Sequence, residues 1–281
     1  MVITVTAPKK GLGQTTTTIN IAAGLLKLCG ELKQDAKILI IDINKYCKDI
    51  EYYLSNTVVS RGLDDFFSLY QSELLTDDSF KTCIKKINDN ISIIGSNEYF
   101  EITEEAIDVL LKMTERMYDF IIIDSIGTAN INGIQKVIFE KSDKIIVTLN
   151  QTKSVTTIIR NRNIYRDEMN KVFYALNRNM DVTDTGVMNY GSEVIREELD
   201  SLGISSPLYP LNFDVEIMNE GNYGSILSFV LGDKTNKNEY NKQLRTMLID
   251  MLKDNPKYEG VNSLDNEEKK SLFGLNLNLK W

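Results

Sequence analysis

Six short apolar runs set the rhythm of this chain: Val2-Ile-Thr-Val-Thr, Lys37-Ile-Leu-Ile-Ile-Asp42, Ile91-Ser-Ile-Ile, Tyr118-Asp-Phe-Ile-Ile-Ile-Asp124, Lys144-Ile-Ile-Val-Thr-Leu and Val172-Phe-Tyr-Ala-Leu-Asn177. Most are continuous rather than alternating, as expected of strands buried on both faces of a parallel sheet. Between them the apolar spacing turns helical, as with Ile19, Ala22, Ala23, Leu26 and Leu28 behind the first run. Helices are expected over 16–28, 62–69, 77–87, 103–117, 155–169, 193–202 and 239–252, with a turn-rich passage through Pro207 and Pro210. Strands alternating with helices predict an α/β fold, a doubly wound and mostly parallel sheet flanked by helices with right-handed crossovers. One domain is expected over residues 1–253. Residues 254–281 read as a mobile polar tail with an apolar tip.

Composition narrows the function classes. The 281 residues are 42% apolar and 26% charged, and the net charge of −8 argues against coating nucleic acid through the overall field. Arg160, Arg162, Arg166 and Lys171 form a local basic set, but Asp167 and Glu168 lie among them, so a balanced solvated face is expected and DNA binding is not favoured. The apolar runs are too short to cross a bilayer, and Met1 opens a strand rather than a leader, so a cytoplasmic protein is expected. Cys29, Cys47 and Cys83 have no C-x-x-C spacing, and the chain holds no histidine. Structural zinc and a disulfide framework are therefore disfavoured, and Ser-His or Cys-His nucleophilic catalysis is excluded.

The stretch with chemistry in it is residues 8–16, Pro-Lys-Lys-Gly-Leu-Gly-Gln-Thr-Thr, between the first strand and the first helix. Gly11 and Gly13 can adopt backbone angles that turn successive N–H groups onto an anion, and the helix behind adds the positive end of its dipole. The phosphate-loop pattern G-x-x-x-x-G-K-[ST] wants a lysine where Gln14 stands and a glycine where Pro8 stands. The stretch is therefore either a phosphate loop without its lysine or a glycine turn that resembles one. Asp42 and Asp124 end their strands at the same sheet edge, where ligands gather. There Thr15 would offer its hydroxyl to Mg2+, and Asp42 and Asp124 would hold the ion directly or through water.

Together these motifs resemble the ParA/MinD family of deviant Walker A ATPases. That family's loop reads K-G-G-x-G-K-[ST]-T: Lys9, Gly11, Gly13, Thr15 and Thr16 match, whereas Lys10 and Gln14 replace a glycine and the second lysine. Asp42-Ile-Asn44 stands at the family's D-x-D strand end, Tyr118 to Asp124 at its Walker B strand, and Asn177-Arg178 at its Asn-Arg strand end. Leu202-Gly203, Pro210, Asp214 and Gly224 follow its "LG…P…D…G" ending. The resemblance implies ATP and Mg2+ as cofactors, with Lys9, Lys10, Gly11, Leu12, Gly13, Gln14, Thr15, Thr16, Asn177, Arg178 and Pro210 around the nucleotide. Asn177 would read adenine, and Lys9 would cross a homodimer interface to the partner's nucleotide.

Two departures bear on turnover. Gln14 forfeits a charge-assisted phosphate contact, and Asn44 replaces the aspartate that positions the attacking water. The expectation is a positioning or assembly factor with nucleotide-linked dimerisation and weak or no hydrolysis. The missing lysine resembles the TadZ/CpaE branch, which localises Tad pilus machinery; the alternative is a slow ATPase for plasmid or chromosome partitioning or division-site placement. Basic and apolar residues from Lys269 to Trp281 resemble the membrane-targeting tip of MinD, yet Leu275, Leu277 and Leu279 alternate at strand spacing. Weak membrane contact, docking on secretion, pilus or partition machinery, and packing onto the domain stay open, and a peripheral location at the membrane or cell pole stays open with them.

Overall fold

The computed structural model describes the whole chain except residues 44–48, 56–60, 96–101, 128–130, 132, 163–169, 181, 184–185, 188, 234–236 and 265–281. In chain order its elements are β1 (Val2–Thr6), α1 (Gln14–Glu31), β2 (Ile38–Asp42), α2 (Asp49–Ser55), α3 (Leu63–Gln71), α4 (Asp77–Lys81), β3 (Lys85–Lys86), β4 (Ile91–Ile94), α5 (Glu104–Glu115), β5 (Phe120–Asp124) and α6 (Gly133–Lys141). There follow β6 (Lys144–Leu149), α7 (Lys153–Arg162), β7 (Val172–Asn179), the hairpin of β8 (Val182–Thr183) and β9 (Gly186–Val187), α8 (Ser192–Ser201), β10 (Leu208–Asn212), α9 (Val215–Asn222), α10 (Ile226–Gly232) and α11 (Glu239–Leu252).

One sheet of eight strands runs in the order β10-β7-β6-β1-β5-β2-β4-β3, and every pairing in it is parallel except β3 with β4. The continuous apolar runs arise because the sheet is covered twice. Residues such as Leu39, Ile41, Ile121 and Ile123 face a core shared with α3, α5, α7 and α8. Their neighbours Ile38, Ile40, Phe120 and Ile122 face a second core with α1, α10 and α11. A doubly wound sheet leaves its loops at the carboxyl ends of the strands, which is where the site lies.

Three expectations need correction. The helix expected over 77–87 stops at Lys81, because Lys85–Lys86 pair antiparallel with Ile93 and Ser92 of β4. The passage around Pro210 is the strand β10; it occupies the sheet edge, where a residue without an N–H costs no ladder bond. The stretch from residue 254 does not leave the domain at once: Tyr258 and Val261 are buried in the second core, and Tyr258 stacks on Phe120 at 5.3 Å. Cys29 and Cys83 are buried, and burial pushes both thiols up to about 11. Cys47, Asn44, Arg166, Asp167, Glu168 and the tip from Lys269 to Trp281 lie outside the described residues.

Candidate functional site

The loop between β1 and α1 owes its shape to two left-handed glycines, Gly11 at φ 83° and Gly13 at φ 81°. Gly13 is also the residue before the first turn of α1, where no side chain caps the helix and no acidic residue stands. The free N–H groups and dipole of that helix end therefore face the loop, a ready site for an anion. Gly13 has a second reason to be glycine: a Cβ there would stand 3.0 Å from Nδ2 of Asn177.

Strands β2 and β5 bring their carboxylates side by side, Asp42 in register with Asp124, both buried. Thr15, in the first turn of α1, donates from Oγ1 to Oδ2 of Asp124 at 2.7 Å. The next residue, Ser125, is buried, and its Oγ has no hydrogen-bond partner among the described residues. A hydroxyl, two carboxylates and an orphaned buried hydroxyl oxygen form an all-oxygen donor set of the kind that suits a hard divalent cation with its water shell. The residues present thus fit Mg2+, although the described residues contain no cluster of three carboxylates, histidines or cysteines placed to hold an ion alone.

Gln14 is half-buried and donates from Nε2 to the carbonyl of Ser125 at 2.7 Å. Its Oε1 faces Gly127, where a Cβ would come within 2.3 Å of it and 3.0 Å of the Lys9 carbonyl. The side chain in the lysine's position therefore ties the loop to the segment after β5. Lys9 donates to Ser154 Oγ at 3.0 Å, at the start of α7, and Lys10 is exposed.

Asn177, expected at the adenine, lines the cleft beside the loop and also braces the loop from behind. Its buried Nδ2 donates to the Leu12 carbonyl at 2.9 Å and to Thr17 Oγ1 at 2.8 Å, so both amide protons are committed to the loop and helix α1. A bulge accounts for the placement: Pro210 pairs with Leu176 and Asn212 with Asn179, so Asn177 and Arg178 together oppose Leu211. Arg178 takes φ 53° within this bulge and is exposed, a conformation that costs on the order of 1 kcal/mol and recurs at ligand sites.

Beyond Asn177 opens a cleft of about 700 Å3, solvent mouth included, lined by Gly13, Thr16, Arg178, Asn212, Phe213 and Asp214 among others. Pro210 does not line it, because the strand carries that residue into the sheet edge two positions earlier. Phe213 and Met218, both lining residues, are about half exposed, at 43% and 50%. Sequence reasoning did not select them, since a lone aromatic just before the short helix α9 and a lone methionine within it carry no motif. Glu51 on α2 was missed too: it is buried, and a Cβ on Gly95 would stand 2.9 Å from its Oε1 and 3.9 Å from Cβ of Asp42.

The arrangement so far is a glycine loop at a helix amino terminus, a carboxylate-hydroxyl pair and an open cleft, all on one sheet edge. Residues 1–174 match the AAA domain family AAA_31. The chain belongs to that family. Over 160 residues it is 29% identical to an Emiliania huxleyi protein provisionally named septum site-determining protein MinD; the match covers 56% of this chain and 54% of that one. The chain therefore aligns with about half the length of that relative. Among solved structures, a ParA family ATPase from Chlorobium tepidum superposes with TM-score 0.67 at 22% identity, covering 88% of this chain and 98% of the other. The MinD of Pyrococcus horikoshii, solved with Mg-ADP, gives 0.66 at 16% identity, covering 89% and 94%. A Cyanothece McdA variant in complex with ATP gives 0.64 at 17%, covering 89% and 95%. The AAA_31 chain thus has the ParA/MinD P-loop fold.

Proposed function

We propose that this AAA_31 protein binds ATP with Mg2+ at the loop of residues 9–16 and acts as a ParA/MinD-like positioning or assembly factor with little hydrolysis. One observation supports this above the rest: Thr15 and Asp124 are already joined at the open end of α1, while Gln14 is tied to Ser125. The metal-facing half of the site is kept and the phosphate-facing cation is replaced. Gly11 and Gly13 would receive the phosphates on backbone N–H groups. Thr15, Asp42 and Asp124 would hold the ion, whose chemistry is to neutralise the charge of the phosphate oxygens. Arg178, Asn212 and Phe213 would border the nucleoside. Association of two copies is the output of such binding, and Lys9 would exchange its bond to Ser154 for the partner's nucleotide. Localising pilus or secretion machinery in the TadZ/CpaE manner is the finer form of this reading.

The retained Thr15–Asp124 pair also favours a second reading, a slow ATPase of the partitioning or division-site type. Calorimetric titration with ATP and Mg2+, joined to phosphate release and sizing with and without nucleotide, separates the two. Binding with dimerisation and no phosphate release is the expected result. Turnover abolished by Asp124→Ala would establish the enzyme instead, and no binding at millimolar ATP would overturn both. A Gln14→Lys, Asn44→Asp double variant is expected to raise phosphate release by restoring the two replaced groups.

A further inference from the structure

We propose that the cleft holds a nucleotide by the face of its base, on Phe213 and Met218, and so takes adenine and guanine nucleotides alike. The inference rests on the reading that the cleft binds a nucleotide, and it names what that site recognises. Gly13 and Asn177 line the cleft at the loop, and Phe213 and Met218 line it beyond the end of β10. There the Phe213 N–H donates to the Asn179 carbonyl at 3.0 Å, which places the aromatic residue beside β7. Asp214 caps α9, so Phe213 stands just before the cap and Met218 at the fourth helical position. Those two positions form the apolar staple of a helix entrance. A staple accounts for two apolar residues at these places but not for their exposure, 43% and 50%, on the wall of a cleft. A ring and a thioether left open together make a platform for a flat aromatic base. Arg178, also exposed in the cleft, adds a planar cation of the kind that stacks on such faces.

The second support is what the neighbouring polar groups already do. Adenine carries an amine where guanine carries a carbonyl, and guanine adds a second amine, so telling them apart takes donors and acceptors free to meet those edges. Asn177 gives both amide protons to the Leu12 carbonyl and Thr17 Oγ1, which leaves none for a ring nitrogen. A carboxylate is the group that would select guanine's N–H groups. Asp214 instead accepts from the Glu216 N–H at 2.8 Å on one oxygen and from Asn238 Nδ2 at 2.7 Å on the other. Asn212 Oδ1 accepts from Asn179 Nδ2 at 3.0 Å, and the amide protons it keeps suit a ring nitrogen of either purine. Asn222, the last residue of α9, lines the cleft with an amide that presents oxygen or NH2 according to which way it is turned. Stacking draws no such distinction, because every base has a π-face. Among the described residues, the cleft thus offers the base more face than edge.

Calorimetric titration of the full chain with ATP, GTP and inorganic tripolyphosphate, each with Mg2+, tests both halves of the proposal. ATP and GTP are expected to bind within about fivefold of each other. Phe213→Ala is expected to weaken both by about tenfold, the worth of one base stacked on an aromatic ring, and to leave tripolyphosphate unchanged. Phe213→Tyr, which keeps the ring, should bind both nucleotides as the natural chain does. A preference for either nucleotide beyond about fivefold would overturn the proposal while leaving nucleotide binding intact. So would a Phe213→Ala variant that melts like the natural chain and binds ATP unchanged, or one that loses tripolyphosphate equally. Should Phe213→Ala not fold, the natural chain's ratio of ATP to GTP decides. Binding of neither nucleotide would overturn the broader reading itself.

Discussion

At the scale of single residues, the site is governed by how closely two backbone segments approach. Gly127 lies against Lys9 and Gln14 with no room for a methyl group. Gly127→Ala would therefore push against the Lys9 backbone and dislodge the Gln14 amide from Ser125. A loss of about 1–2 kcal/mol is expected, readable as a lower urea midpoint. In a Gly127→Ala, Gln14→Ala pair the second change removes the group struck first, so the two losses should add to less than their sum. Strict additivity would show that Gly127 acts through the Lys9 backbone alone. The glycine turn and the two strand-end aspartates were legible in the sequence because their chemistry is local. Gln14's partner was not, since Ser125 is 111 residues away and its carbonyl has no side-chain identity.

At the scale of elements, α1 is the piece on which the loop is mounted. It is buried along most of its length, and α11 crosses it where Gly24 leaves space for Leu248 and Leu244. A Cβ on Gly24 would stand 2.5 Å from Leu248 Cδ1, the far end of a mobile side chain, and 3.3 Å from Leu244 Cδ2. Gly24→Ala should therefore be nearly neutral, its helix-propensity gain offsetting a small shift of Leu248. Gly24→Val, with two more carbons in the same gap, is expected to cost about 1–3 kcal/mol by thermal or chemical denaturation. Equal stability of the two variants would contradict this packing. The strands were legible as elements because burial on both faces writes an unbroken apolar run. β10 was not, because Pro207 and Pro210 signal turns wherever the edge position of a strand is unknown.

At the scale of the whole molecule, Met1 and the segment after α11 meet at the opposite end of the sheet from the site. The amino terminus donates to the Asp119 carbonyl at 2.9 Å, Lys37 N–H to the Asp119 carboxylate at 2.9 Å, and Lys257 Nζ to its other oxygen at 2.5 Å. Burial alone would raise this carboxyl, but the bonds from Lys257 and Lys37 and the nearby positive charges outweigh it and hold it below the usual range. A lowered native carboxyl stabilises the fold above its unfolded value, near pH ~4, and that contribution disappears as pH falls through the native value. Asp119→Asn should thus melt lower at neutral pH and lose less between about pH 4 and pH 2 than the natural chain. Tyr258→Ala, which empties the place stacked on Phe120, is expected to cost about 3 kcal/mol.

What the sequence by itself determined is whatever depends on neighbours in the chain: the strand–loop–helix unit at residues 2–31, the parallel sheet and the carboxylates at its edge. Only the tertiary structure decided what those groups do with one another. It turned Asn177 onto the loop through a bulge and bound Gln14 to Ser125. It also put Phe213 and Met218 beside the cleft and carried Tyr258 back into the core. Each of those outcomes is a contact between residues far apart in sequence, and periodicity and spacing hold no record of which distant surfaces meet.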